Sequence, residues 1–172
     1  MVGRGGAARR QAEIEQFMQA VSPRLFRTAL LVCGDWHLAE DLVQTALGKI
    51  FVSWRKVRSA DNPQAYARTV LMRTYLSYVR LHRTYERPVE HLPDRSVEAK
   101  DSALRVALSQ ALAQLAPQDR AVVVLRYWED RSVSQTAADL GLSAGSVRIR
   151  SMRALAKLRE ALGGEHDALV GL

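Results

Sequence analysis

The sequence predicts an all-α protein made of two small helical domains joined by a flexible linker. Three observations lead there. Apolar residues recur three and four apart in nearly every segment, and no stretch sustains the alternation of a half-buried strand. Between Pro88 and Asp101 that period lapses into two prolines and four acids, which reads as a linker. Beyond it, residues 132–159 place a glycine turn between two helical patterns. With 172 residues and 48% apolar content the chain can fill packed cores, which excludes wholesale disorder. The expected division is a disordered glycine-rich tail (1–11), a first domain (12–86), the linker (87–101), a second domain (102–162) and a C-terminal tail (163–172).

In the first domain, Ile14, Phe17, Met18, Val21, Leu25, Ala29 and Val32 share one helical stripe, with Pro23 at a helix start or a kink. Gly34 and Asp35 read as a turn, and Asp35 is placed to cap a helix over 37–54. That helix has Ala39, Leu42, Val43, Ala46, Leu47, Ile50, Phe51 and Trp54 on its apolar face and Glu40, Asp41, Gln44, Gly48 and Lys49 on the other. Residues 55–62 read as a basic loop. Pro63 then opens a helix to about residue 83, because a missing N–H costs little at the first position. Tyr66, Ala67, Val70, Leu71, Thr74, Tyr75, Tyr78, Val79 and His82 include its packing residues, while Arg73, Ser77 and Arg80 line another face.

In the second domain, Leu104, Ala107, Leu108, Ala111, Leu112 and Leu115 form a helix that Pro117 ends. The next runs over 120–128 with Ala121, Val124, Leu125 and Trp128 inward. Val133, Ala137, Ala138 and Leu140 lead to Gly141, which can take the left-handed conformation that stops a helix. Ser143 caps the helix that follows, whose buried face is Val147, Ser151, Ala154, Leu155, Leu158 and Leu162. Arg148, Arg150, Arg153 and Lys157 fall mainly off that face. Two helices, a tight turn and a basic second helix make a helix-turn-helix suited to a DNA major groove.

The net charge of +7 points to a polyanionic partner. A second basic patch lies far from the helix-turn-helix, since residues 55–87 hold eight Lys and Arg against two acids. Trp54, Tyr66, Tyr75 and Tyr78 interleave with these cations, as in surfaces that stack unpaired bases. Trp54 and Tyr75 read as core, while Tyr66 and Tyr78 are open between core and stacking. Two such patches suit a protein that holds duplex DNA at one site and opened DNA at another.

Other classes find little support. The four histidines are scattered, with no metal-ligand spacing, and no glycine-rich phosphate loop exists, so no catalytic residue, metal or cofactor is expected. The lone Cys33 lies in an apolar run and reads as a buried thiol. The basic N-terminus lacks the apolar core of a signal peptide and no run is long enough to span a bilayer, so a cytoplasmic protein without membrane insertion is expected. Two alternatives stand beside the two-site reading. One is a helix-turn-helix repressor or activator, which would need a symmetric dimer surface; the other is a basic helical protein that binds RNA or membranes.

Three motifs carry a resemblance. AEDLVQTAL (39–47), NPQAYARTVLMRTYLSYVR (62–80) and LAPQDRAVVVLRYWEDRSVSQTAADLGLSAGSVRIRSMRALAKLR (115–159) occur in that order. Together they resemble bacterial RNA polymerase sigma factors of the sigma-70 family, in the extracytoplasmic-function group and its actinobacterial branch. The likeness spans residues 13–162 and implies a factor that binds core RNA polymerase, reads the -35 element and aids opening of the -10 element. It implies partners in the β′ clamp and β flap of the polymerase, promoter DNA, and an anti-sigma factor or other regulator. By the same likeness Glu40, Asp41 and Gln44 face the clamp. Arg58, Asp61, Asn62, Pro63, Arg73, Ser77 and Arg80 meet the -10 strand, with the 59–63 loop capturing a flipped base. Ser146, Arg148, Ile149, Arg150, Arg153 and Lys157 occupy recognition-helix positions at -35. The family often has a small polar residue at Ile149 and Leu at Ser151. Ile149 cannot donate a hydrogen bond but can pack on a thymine methyl.

Overall fold

The structure, a computed structural model, describes residues 4–82 and 99–162. The centre of the expected linker and the C-terminal tail lie outside these residues. All regular elements described are helical: α1 (Arg4–Cys33), α2 (Trp36–Val52), α3 (Trp54–Arg58), α4 (Pro63–His82), α5 (Ala99–Ala113), α6 (Pro117–Val123), α7 (Val133–Leu140) and α8 (Ala144–Ala161). A π-helical turn, Val124–Trp128, extends α6.

Local chemistry sets most boundaries. Gly34 (φ 71°) ends α1 in the left-handed region, and Asp35 Oδ1 then accepts the Leu38 N–H at 2.6 Å to start α2. Asn62 Oδ1 accepts the Ala65 N–H at 2.9 Å, with Pro63 first in α4. Ser132 and Gln135 form a reciprocal capping box at α7, Gly141 (φ 67°) closes it, and Ser143 caps α8.

Some expectations fail for identifiable reasons. Helix α1 begins at Arg4, inside the tail expected to be disordered, because residues 7–12 (Ala-Ala-Arg-Arg-Gln-Ala) are strong helix formers that outweigh the preceding glycines. Pro23 lies within α1 at an exposed position, so the hydrogen bond it forfeits is on the water side. Residues 55–58, expected in a loop, instead form a short helix with Trp54, held by burial of Trp54 and Val57. Phe51 is exposed despite its apolar neighbours.

The largest departure is at the end of α6. A π turn spends about one residue more than an α turn, so the Glu129 N–H bonds the Val124 carbonyl five residues back. This phase shift leaves Trp128, expected inward, 52% exposed and turns Glu129 inward instead.

Helices α1, α2 and α4 pack around Leu25, Val32, Ile50, Leu71 and Met72. Ala121, Val124 and Leu125 from the second domain join this same core. The two domains therefore share one continuous interior. Full burial of Leu125 alone contributes about 2 kcal/mol. Behind it, Ala111, Leu112, Leu115, Val123, Ala154 and Leu158 hold α5, α6 and α8 together, and Val122, Ala137 and Val147 seat α7 against α8.

Burial pushes the Cys33 thiol up to about 11 and the Tyr75 phenol to about 12. Both are protonated at neutral pH, and Cys33 Sγ donates to the Asp35 carbonyl at 3.2 Å. Among the described residues no helix is long and apolar enough to cross a membrane.

Gly141 has open space where a Cβ would sit, so Gly141→Ala meets only the backbone cost of its positive φ. That substitution is expected to lower unfolding free energy by about 1 kcal/mol, checked by urea titration. A neutral result would mean the turn relaxes to another conformation.

Candidate nucleic-acid interface

Helix α8 projects two kinds of side chain from its outward face. Arg148 and Arg153 are exposed, and between them lie Ile149 (48% exposed) and Met152 (66% exposed). The inward residues Val147, Ser151, Ala154 and Leu158 are buried, so packing fixes which face meets solvent. Lys157 is exposed nearer the C-terminus. Ser146 is turned back on the cap: its N–H donates to Ser143 Oγ, and Ser143 Oγ–H donates to its hydroxyl oxygen. Arg150 is also committed within the fold, to Asp119 of α6 at 2.6 Å. The structure thus leaves Arg148, Ile149, Met152, Arg153 and Lys157 outward, and holds Ser146 and Arg150 in internal contacts.

The first domain offers a cationic face along α4. Arg80 is exposed and Ser77 half-buried one turn earlier. Before α4, Asp61 and Asn62 are exposed, and the cap contact fixes the Asn62 amide with its oxygen toward the helix and its NH2 without a partner among the described residues. Arg58 pairs with Glu13 at 3.1 Å, and both line a groove of about 350 Å³ together with Phe17, Trp54 and Pro63. The Trp54 Nε1–H beside this groove is buried and has no hydrogen-bond partner among the described residues.

The acidic-polar strip is on α2. Glu40, Asp41 and Gln44 are all exposed. Glu40 accepts from Trp36 Nε1 at 3.0 Å and lies 3.6 Å from His37. Gly48 continues the strip, with nothing within 4 Å of where its Cβ would be. Lys49, on the flank, donates to Thr74 of α4 at 2.9 Å and ties the strip to the cationic helix.

Where the domains meet, the contacts join residues far apart in the chain. The Glu129 carboxylate is fully buried; it accepts from Arg24 Nε at 3.1 Å and from the Thr28 hydroxyl, and forms an ion pair with Arg68, whose Nε lies 3.2 Å away without a hydrogen bond. Burial drives the Arg68 guanidinium below its ordinary range, and Glu129 opposes that shift. Arg73 donates to the Asp139 and Ala138 carbonyls at 3.0 and 3.1 Å, so it caps the C-terminus of α7. Asp139 accepts from Thr69 at 2.7 Å and pairs with Arg131 at 3.0 Å. Arg120 donates to the Val32 carbonyl at 2.9 Å. Acids of the second domain therefore occupy part of the cationic face of the first. Arg24, Arg68, Glu129, Asp139 and Met152 are the residues that sequence reading missed. Only Met152 left a signal, since it falls off the buried stripe of α8.

Comparison with known proteins decides what this arrangement is. Residues 17–84 match the family described as Sigma-70 region 2, and residues 105–158 match Sigma-70, region 4. The chain is 40% identical over 152 residues to the RNA polymerase sigma-E factor of Streptomyces avermitilis, covering 87% of this chain and 85% of that protein. This chain belongs to the sigma-70 family, in its extracytoplasmic-function group. The ECF RNA polymerase sigma factor SigL of Mycobacterium tuberculosis is 30% identical over 165 residues, covering 90% of this chain and 92% of that one. Its fold is also that of the sigma factor RpoE solved in complex with the anti-sigma factor NepR from Bartonella quintana, with a TM-score of 0.72 at 24% identity over 89% of this chain and 98% of that one. As a sigma factor the chain serves promoter-specific transcription initiation by RNA polymerase. Region 2 is the body of α1–α4, and region 4 runs from α5 to α8.

The Arg150–Asp119 contact joins the recognition helix to α6 and is only partly exposed. A double-mutant cycle with Arg150→Ala and Asp119→Ala is expected to give a coupling of about 1 kcal/mol in unfolding free energy. Zero coupling would free Arg150 to act elsewhere.

Proposed function

We propose that region 4 reads the -35 element through α8 and that region 2 grips the opened -10 strand through α4 and the 59–63 loop, while α2 docks on the polymerase clamp. The observation that carries this is the capped helix-turn-helix, whose second helix shows an exposed basic face over a buried apolar one. Arg148 and Arg153 are placed for guanine edges or phosphates, and Lys157 for phosphate. Ser146 and Arg150 hold α8 in position. In region 2, Arg73, Ser77 and Arg80 line the strand path. The groove at Phe17 and Trp54, bounded by Arg58 and Pro63, receives a flipped base beside Asp61 and the free Asn62 amide group. Glu40, Asp41 and Gln44 supply an acidic-polar surface on a basic protein, which suits a cationic partner such as the clamp. The β flap holds region 4, and an anti-sigma protein or other regulator restrains the factor. Nucleotidyl transfer belongs to the polymerase, so this chain needs no catalytic residue or cofactor. Its working place is the cytoplasm.

Dimensions add a requirement. About 25 base pairs separate the two elements, or about 85 Å of B-form DNA. A compact body of roughly 140 residues has a radius of gyration of about 15 Å and is roughly 40 Å across. The packed form cannot reach both elements. Regions 2 and 4 therefore part when the promoter is held, which releases Arg73 from α7.

Two experiments test this reading. The chain is expected to co-purify with core RNA polymerase and support run-off transcription from a genomic promoter pool. Asp41→Arg should weaken that association by roughly tenfold or more with helicity unchanged. Full association of that variant removes Asp41 from the docking surface. Separately, Glu129→Lys sets a cation against Arg24 and Arg68. Small-angle scattering of the free chain should then show a radius of gyration clearly above that of the native protein. An unchanged value would mean that apolar contact alone holds the regions together.

A further inference from the structure

Ile149 and Met152 stand three residues apart on α8, which puts them side by side on one face. Neither serves the fold: about half of Ile149 and two thirds of Met152 are in water, while the packing of α8 is carried by Val147, Ala154 and Leu158. Single exposed apolar residues are ordinary. Here the two are adjacent, and the exposed cations Arg148 and Arg153 flank them on the same outward face. The polar side chains that would otherwise reach bases from this part of the helix are already engaged, Ser146 with Ser143 and Arg150 with Asp119. What remains is a cation, an apolar pair and a cation.

The major groove presents one apolar group that distinguishes bases, the 5-methyl of thymine. A guanidinium can bond guanine or a phosphate, but Ile and Met side chains have no donor to offer any base edge. Placed against a cytosine or a purine, they would strip water from donors and acceptors without replacing those hydrogen bonds. Placed against a thymine methyl, they bury apolar surface from both sides.

We propose that Ile149 and Met152 are specificity-determining residues that read 5-methyl groups of adjacent pyrimidines in the -35 element. The inference rests on α8 being the -35 reader. It assigns A·T pairs at the centre of the contacted step, with the cationic contacts of Arg148 and Arg153 to either side. Met152, with three rotatable bonds and a polarisable sulfur, can follow either of two neighbouring methyls, while β-branched Ile149 fixes one.

Deoxyuracil tests this directly, because it removes the methyl and leaves every hydrogen-bonding group of thymine in place. The full chain is assembled with core RNA polymerase and bound to a promoter recovered by run-off selection, with each -35 thymine on both strands replaced singly by deoxyuracil. One or two central substitutions should weaken binding about four-fold, the value of one buried methyl. In Ile149→Ala or Met152→Ala the loss at the matching position should vanish, while the other uracil effects persist. Both sites are exposed and alanine favours helix, so circular dichroism should show native helicity. If uracil is tolerated at every position while a scrambled -35 element is still rejected, α8 reads -35 and the methyl inference is overturned. If the two alanine variants lose affinity equally on thymine and uracil duplexes, the pair lies on the sugar-phosphate backbone and the inference is again overturned. Equal binding of native and scrambled -35 elements would sink the -35 reading itself, and this inference with it.

Discussion

A carboxylate with no exposed surface dictates how the two halves of this protein meet. The Glu129 carboxyl lies where water does not reach, and Arg24, Arg68 and Thr28 surround it there. All three belong to region 2 and Glu129 to region 4. The carboxylate can be satisfied in two ways: by this junction, or by water after the regions separate. An ion pair of this kind contributes little net stability relative to solvated partners. The contact is held by the apolar burial of Ala121, Val124 and Leu125, and aligned by charge. Such a junction is specific in geometry and can still come apart, as a factor that must reach two distant DNA elements requires.

The surfaces left open follow from the same packing. Around the junction, α4 gives Arg68 and Arg73 to region 4 and keeps Arg80 outward. Arg73 caps α7, a use that excludes the contact to nucleic acid proposed for it. The acidic strip of α2 and the outward face of α8 make no part of the junction. A partner binding Glu40, Asp41 and Gln44 therefore meets no obstacle from the packed state, and neither does duplex DNA at α8. Opened DNA along α4 does. If α2 and α4 act as proposed, the clamp can be met first, and the -10 strand only after region 4 has moved aside.

How much of this could be read from the sequence depends on the range of the interaction. Caps and turns are local, and Asp35, Pro63, Gly141 and Ser143 each mark a boundary that the structure repeats. The apolar stripes of α2, α4 and α8 are nearly as legible, because burial follows a fixed period. What failed was either non-local or out of phase. Nothing near Glu129 in the chain announces that it will be buried, since its three partners are about 60 to 105 residues away. A period of 3.6 put Trp128 inside, and the π turn made that wrong. The recognition helix was visible, but not that Arg150 would be spent on Asp119, since that needs the angle between α8 and α6.

The π turn deserves weight beyond its five residues. It acts as a spacer one amino acid longer than a regular helix requires, and everything downstream inherits its rotation. Loss of a single codon between Val124 and Trp128 would let the segment relax to an α-helix with Glu129 still facing inward, whereas straightening the turn at full length would swing Glu129 toward solvent by about 100° and carry the indole of Trp128 inward. The extra residue is thus what keeps the carboxylate turned toward Arg24 and Arg68, and a substitution that straightens the turn, not one that shortens it, is the change that would set the two regions loose.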